Sequence, residues 1–206
     1  MSLFVTFEGG EGSGKSSCLA KVAKDLQNAG YEVVITREPG GTPISEQIRN
    51  VILDKANTDM DPMTEALLYA ASRRQHLVQK ILPALHQGKI VLCDRYLDSS
   101  LAYQGGARGL GIEKILALNQ YAIDGQYPDL TLFFDLEPEV GLERIEENSS
   151  REVNRLDLEK LGFHHKVRDS FLKLMEMFPD RYVRIDASKS REEVENSALE
   201  QIIKRL

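Results

Sequence analysis

Eight residues, Gly9-Gly10-Glu11-Gly12-Ser13-Gly14-Lys15-Ser16, separate a β-prone run, Leu3-Phe4-Val5-Thr6-Phe7, from a helical stripe carrying Leu19, Val22, Ala23 and Leu26. They fit G-x-x-x-x-G-K-[ST] in the strand–loop–helix setting that gives the pattern its meaning. Glycines lack a Cβ, so successive backbone N–H groups can turn inward, and the amino end of a helix adds a favourable dipole for an anion. Lys15 suits the outer phosphates of a nucleotide, and the Ser16 hydroxyl suits Mg2+. Average residue usage yields this pattern by chance in on the order of 1% of chains of this length. The segment therefore predicts a nucleotide phosphate site made of Gly9, Gly10, Glu11, Gly12, Ser13, Gly14, Lys15, Ser16 and Ser17. Such a loop leaves the carboxyl end of a strand, which ties the chain to an α/β sheet.

The rest of the chain agrees with that requirement. Short apolar runs at 33–36, 89–93, 130–134 and 182–185 alternate with helical patterns at 15–29, 44–52, 61–86, 112–123, 138–147, 158–177 and 191–206. Asp61-Pro62 supplies an N-cap and a first-turn proline, while Gly30 and Gly88 mark helix ends. Near-continuous apolar strands between helices predict a five-stranded parallel sheet with helices on both faces. Residues 148–157 are polar and read as a mobile surface loop on a single domain of residues 1–206. Ligands of such sheets bind beyond the carboxyl ends of the strands.

Composition narrows the function. The 206 residues carry 26 Lys+Arg against 32 Asp+Glu, a net charge of −6, which argues against a general nucleic-acid binder. Cys18 and Cys93 lie 75 positions apart, without zinc or redox-pair spacing, and predict buried thiols in a reducing compartment. No apolar run reaches the roughly 18 residues of a membrane span, so a cytoplasmic protein without membrane partners is expected. Asn-Lys-x-Asp, the guanine reader of GTPase switches, is absent from the sequence, and the chain is short for a motor. Phosphoryl transfer to a small molecule remains.

The acceptor is sought among arginines that cluster in the expected strand-end loops: Arg37, Arg49, Arg73, Arg74, Arg95 and Arg108. Arginine forks match phosphate bidentately, although many surface arginines form only ion pairs. Arg95 follows a buried strand directly, where a merely solvated side chain is least expected. Tyr69 and Arg73, four apart on a helix, share a face that suits a flat base bearing a carbonyl. A core tyrosine explains the same spacing equally well.

The segments EGGEGSGKS, TREPGG, TEALLYAASRRQH, CDRYLDSSLAYQGGARGLG, YPDLTLFFDL and REVNRLDLE occur in that order between residues 8 and 159. This set resembles the bacterial thymidylate kinases, and it is similar to their subclass with arginine in the lid, which the resemblance implies at about 148–158. The resemblance implies transfer of the γ-phosphoryl group of ATP to dTMP with Mg2+, in a homodimer. It implies a dTMP site at Glu38, Pro39, Arg49, Tyr69, Arg73, Arg95, Ser99, Ser100, Tyr103 and Gln104, with the acceptor-binding region at about 37–76. Tyr69 stands where relatives usually carry phenylalanine. Asp94 is implied beside Ser16 at the metal, and Lys15, Asp94, Arg95 and Arg151 as catalytic residues. Arg155 is implied at ATP, a division of labour between the two lid arginines that the resemblance leaves open. Arg37, Arg74 and Arg108 receive no role. Loss of Lys15, Ser16, Asp94 or Arg95 would mark an inactive nucleotide-binding module, and all four are present.

Overall fold

The computed structural model describes residues 2–147 and 159–206. Five parallel strands, β1 (Leu3–Gly9), β2 (Val33–Arg37), β3 (Ile90–Asp94), β4 (Leu130–Asp135) and β5 (Tyr182–Asp186), stand in the order β2-β3-β1-β4-β5. β1 lies at the centre and is buried along its whole length. Its side chains alternate between faces, as the strand period of two requires. Leu3, Val5 and Phe7 join Ile90, Leu92, Leu132 and Phe134 under α1 (Lys15–Asn28) and α9 (Arg191–Ile203). Phe4 joins Val91, Cys93 and Phe133 on the opposite face.

That second face is covered by α3 (Pro62–His76), α6 (Ile112–Ile123) and α8 (Leu161–Met177). The expected Asp61 cap is present, its Oδ1 accepting from the Met63 and Thr64 backbone N–H groups. The long helix predicted for 61–86 is interrupted by a π-helical turn, Leu77–Ile81, before a last turn, α4 (Leu82–His86). After β3 the chain enters a short helix, α5 (Leu97–Ser100), and a π-helical segment, Leu101–Ala107, neither of which is among the helices expected from periodicity. The remaining helices are α2 (Pro43–Leu53) and α7 (Pro138–Glu147). The lid assigned to 148–158 lies outside the described residues, together with Arg151 and Arg155. Both cysteines are buried thiols, and burial pushes Cys18 up to about 12.

Register decides what meets at the strand ends. Phe7 and Arg37 both pair with Asp94, so the loops leaving β1, β2 and β3 emerge at one level.

Candidate active site

A cavity of about 590 Å³ opens at this level, within the range usual for small-ligand pockets. One end is the loop between β1 and α1. Gly12 and Gly14 have φ of 68° and 84°, left-handed values that favour glycine. A Cβ on Gly12 would sit 2.0 Å from the Gly141 carbonyl oxygen, so this loop packs backbone to backbone on α7. Lys15 donates from Nζ to the Gly10 carbonyl at 2.7 Å and to Ser13 Oγ at 3.2 Å. Burial pulls its ammonium down to about 8, with Arg95 acting the same way and Glu11, Asp94 and Glu8 opposing. Ser16 donates its hydroxyl proton to Asp94 Oδ2, bringing a hydroxyl and a carboxylate together at the base of the cavity.

Arg95 follows β3 with φ 67°, a left-handed value rare outside glycine. Its backbone N–H donates to Phe7 O, which ties the turn to β1. Nη1 reaches the Gly9 carbonyl at 2.9 Å and Ser99 Oγ at 3.2 Å, and Nη2 reaches Glu11 Oε1 at 2.6 Å. The Tyr103 ring lies 5.0 Å from the guanidinium carbon, and the Tyr103 hydroxyl donates to the same Glu11 oxygen at 3.1 Å. Burial disfavours the Arg95 charge, but Glu11, Tyr103 and Asp94 outweigh it and hold the guanidinium above its ordinary pKa. Burial lifts the Tyr103 phenol well above its usual range.

The other end is built on α3 and the loop after β2. Tyr69 and Arg73 line the cavity together, as their helical spacing predicts. Arg73 donates from Nε to Glu38 Oε2 at 2.8 Å, from Nη1 to Asn119, and from Nη2 to the Tyr96 carbonyl and Ser100 Oγ. Four of its five N–H donors therefore meet protein acceptors. Glu38 Oε1 meets His76 Nδ1 at 2.9 Å, and His76 Nε2 meets Thr36 Oγ1 at 2.6 Å. A carboxylate only accepts, so the consistent neutral tautomer carries its proton on Nδ1 and accepts from the threonine hydroxyl. Arg49 donates to the Pro39 carbonyl at 3.0 Å, across the cis Glu38–Pro39 peptide.

The cavity thus gathers Glu11, Gly12, Ser13, Gly14, Lys15, Ser16, Ser17, Glu38, Pro39, Arg49, Tyr69, Arg73, Asp94, Arg95, Ser99, Ser100, Tyr103 and Gln104. Gly9 and Gly10 do not line it and face it only through carbonyls that hold Arg95 and Lys15. Arg37 lines the rim and pairs with Glu46. Arg74 faces outward toward Asp124, while Arg108 is drawn inward to Glu65.

Sequence reasoning missed four participants. Glu8, the one charged residue of β1, accepts from the Tyr96 backbone N–H and from Ser99 Oγ at 2.5 Å. Burial raises Glu8 to about 7, and Asp98 adds to the rise. His76 and Asn119 hold the Glu38–Arg73 pair. Arg144, on α7, lines the cavity and donates to the Ala187 carbonyl just past β5. Asn119 interrupts the apolar Ile115–Ala122–Ile123 face of α6, and Glu8 is the one charged residue of β1; those were the available signals.

Known proteins resemble this chain in sequence and fold. The family model for thymidylate kinase matches residues 7–198. The chain is 58% identical over 203 residues to the thymidylate kinase of Halalkalibacterium halodurans, covering 98% of this chain and 97% of that protein. It is 59% identical over 200 residues to the thymidylate kinase of Bacillus velezensis, covering 97% and 94%. A solved structure, the thymidylate kinase from Ehrlichia chaffeensis, matches with a TM-score of 0.78 at 34% identity, covering 98% of each chain.

Proposed function

The chain belongs to the thymidylate kinase family, enzymes that phosphorylate dTMP to dTDP with ATP, and we propose that the cavity above the strand ends holds both substrates. One observation carries this reading: Lys15, Ser16 and Asp94 line the same cavity as Arg49, Tyr69, Arg73 and Arg95. A phosphate-binding loop thereby faces a second cationic, aromatic-lined site.

The backbone of Gly12, Ser13 and Gly14 and the amino end of α1 hold the ATP phosphates, and Lys15 adds charge. Burial taxes that ammonium, and an anion beside it restores the charged form. Arg95 and Arg49 hold the acceptor phosphate, and Glu38 and Pro39 shape the sugar side. Ser99, Ser100, Tyr103 and Gln104 complete the acceptor pocket, with the Tyr103 ring filling space beside the sugar. Tyr69 offers a stacking surface, and Arg73 retains one N–H donor for the base. Ser17 belongs to the ATP end, and Arg144 flanks it. Transfer is in line. The protein works by positioning and by meeting charge rather than by covalent chemistry. The acceptor phosphate is already anionic, so no strong general base is required.

Ser16 and Asp94 present hard oxygen donors side by side, a set that fits Mg2+ shared with substrate phosphates. When bound there, the ion supplies charge neutralisation on phosphate oxygens. Arg151 and Arg155, proposed at the transferred phosphate and at ATP, lie outside the described residues. Residues 1–206 are proposed to act as one kinase domain in the cytoplasm. Among the described residues no helix is long and apolar enough to cross a membrane. A homodimer is proposed through α3 or α6, which leave Leu67 and Tyr121 exposed.

A coupled assay offering dTMP, dUMP, dCMP and dGMP with ATP and Mg2+ tests this reading. Clear preference for dTMP is expected, and preference for the purine overturns the acceptor assignment.

A further inference from the structure

Glu65, Tyr69 and Arg73 follow one another at intervals of four on α3 and share a face. Tyr69 and Arg73 line the cavity, whereas Glu65 stands behind it, 1% exposed. Its Oε1 accepts from Gln104 Nε2 at 2.7 Å. Arg108 approaches both Glu65 oxygens at 3.3 Å through Nε and Nη2. The same guanidinium donates from Nη1 to Glu159 at 2.6 Å and lies 4.8 Å from the centre of the Phe163 ring. Gln104, unlike Glu65 and Arg108, belongs to the cavity wall.

Chemistry fixes how this chain of contacts is oriented. A carboxylate paired with an arginine offers only acceptors, so the Gln104 amide must turn its NH2 group toward Glu65. Its oxygen is then the end available on the cavity side, and among the described residues none donates to it. Thymine carries N–H at ring position 3, which donates to such an oxygen. Cytosine carries a bare acceptor nitrogen there, which an amide oxygen repels.

We propose that Glu65 and Arg108 are positioning residues that select an acceptor pyrimidine bearing N–H at ring position 3, by holding the Gln104 amide with its oxygen toward the base. The proposal rests on the assignment of Gln104 to the base end of the acceptor pocket. Glu65 and Arg108 touch no substrate themselves. An amide at position 65 both donates and accepts, so Glu65→Gln frees the Gln104 side chain to present either end.

The test uses the full-length protein with dTMP as acceptor and dCMP as competitive inhibitor, giving KM for dTMP, Ki for dCMP and KM for ATP. In Glu65→Gln the ratio of Ki(dCMP) to KM(dTMP) is expected to fall roughly tenfold, the worth of one oriented hydrogen bond. KM for dTMP carries most of the change, KM for ATP stays put, and kcat moves less than KM. Arg108→Met moves the ratio the same way by a smaller factor, and Arg108→Lys restores part of it. A ratio within twofold of wild type in both Glu65→Gln and Arg108→Met overturns the proposal, as does a parallel rise in both KM values. Should Glu65→Gln fail to fold, Arg108→Met decides by the same ratio, since the Arg108 side chain is 17% exposed. Wild-type protein that does not discriminate dTMP from dCMP refutes the base-end assignment of Gln104. Wild-type discrimination preserved in the variants refutes the positioning role alone.

Discussion

Replacing Arg73 by methionine separates structural clamping from ligand binding at the acceptor end. The side chain is 1% exposed and its partner Glu38 is 3% exposed. Methionine keeps much of the volume and none of the donors. Glu38 retains the contact from His76 Nδ1, while Asn119, the Tyr96 carbonyl and Ser100 lose theirs. Removing one partner of a buried ion pair costs roughly 3–5 kcal/mol, because the other charge stays behind. At roughly 2–4 °C per kcal/mol for a chain of this size, the unfolding midpoint should fall by about 6–20 °C. Thermal unfolding followed by far-ultraviolet circular dichroism, at matched pH and salt, measures this directly. Arg73→Lys should recover little, since one ammonium cannot span acceptors that a planar fork reaches. Combining Glu38→Gln with Arg73→Met removes the stranded charge, so the double variant should lose less than the two single losses combined. A fall of less than about 2 °C in Arg73→Met, or strict additivity in the double variant, would refute the clamp.

Three further expectations follow the same contacts. Arg95→Ala should cut phosphoryl transfer roughly 10³-fold or more while ATP still binds; turnover near wild type in the coupled assay, with ATP affinity measured separately, would remove Arg95 from the reacting centre. Gly12→Ala places a Cβ 2.0 Å from the Gly141 carbonyl oxygen at φ 68°, so KM for ATP should rise roughly tenfold or more, and an unchanged KM contradicts the packing. Glu8 rises from 4.5 to about 7 in the folded protein, so the fold binds more protons than the unfolded chain between about pH 4.5 and 7 and loses stability as pH rises through that window. Glu8→Gln should flatten this slope in unfolding midpoints measured across the window, and a slope equal to wild type would show that Glu8 does not titrate there.

Periodicity made the frame legible because each buried strand and amphipathic helix carries its own local pattern. The phosphate loop was equally plain, since its function demands glycines at fixed offsets. The segment after β3 escaped because its helical turns at Leu97–Ser100 and Leu101–Ala107 contain Asp98, Ser99, Ser100, Gln104 and two glycines, a composition that mimics a loop. Tertiary contacts supply what local propensity lacks there: Glu8 takes the Tyr96 N–H and the Ser99 hydroxyl, and Arg181 takes Asp98. Arg73 shares a cavity-lining face with Tyr69, yet spacing could not reveal that most of its donors face Glu38, Asn119, Tyr96 and Ser100. Arg108 was passed over because its partners, Glu65 and Glu159, are distant in sequence and meet only in the folded chain.

Three carboxylate–arginine pairs at or behind the cavity wall each join two different parts of the chain. Glu11 of the phosphate loop holds Arg95 after β3, Glu38 after β2 holds Arg73 of α3, and Glu65 of α3 holds Arg108 after the π-helical segment. This pairing reconciles a net charge of −6 with a site built for two phosphorylated substrates. The carboxylates offset part of the cost of holding cations close, although Arg95 still disfavours the Lys15 charge, and the side-chain entropy of the paired arginines is lost on folding rather than on binding. Arg95 shows how far the fold bends to achieve this. A non-glycine residue held at φ 67° carries strain of roughly 1–3 kcal/mol. Glu11, Ser99 and the Gly9 carbonyl hold it there with three of its five N–H donors. With the acceptor phosphate proposed at Arg95, the donors left over would let it add to the Glu11 pair instead of displacing it. The strained turn, the carboxylate and the tyrosine ring together aim a charged fork at the phosphate loop.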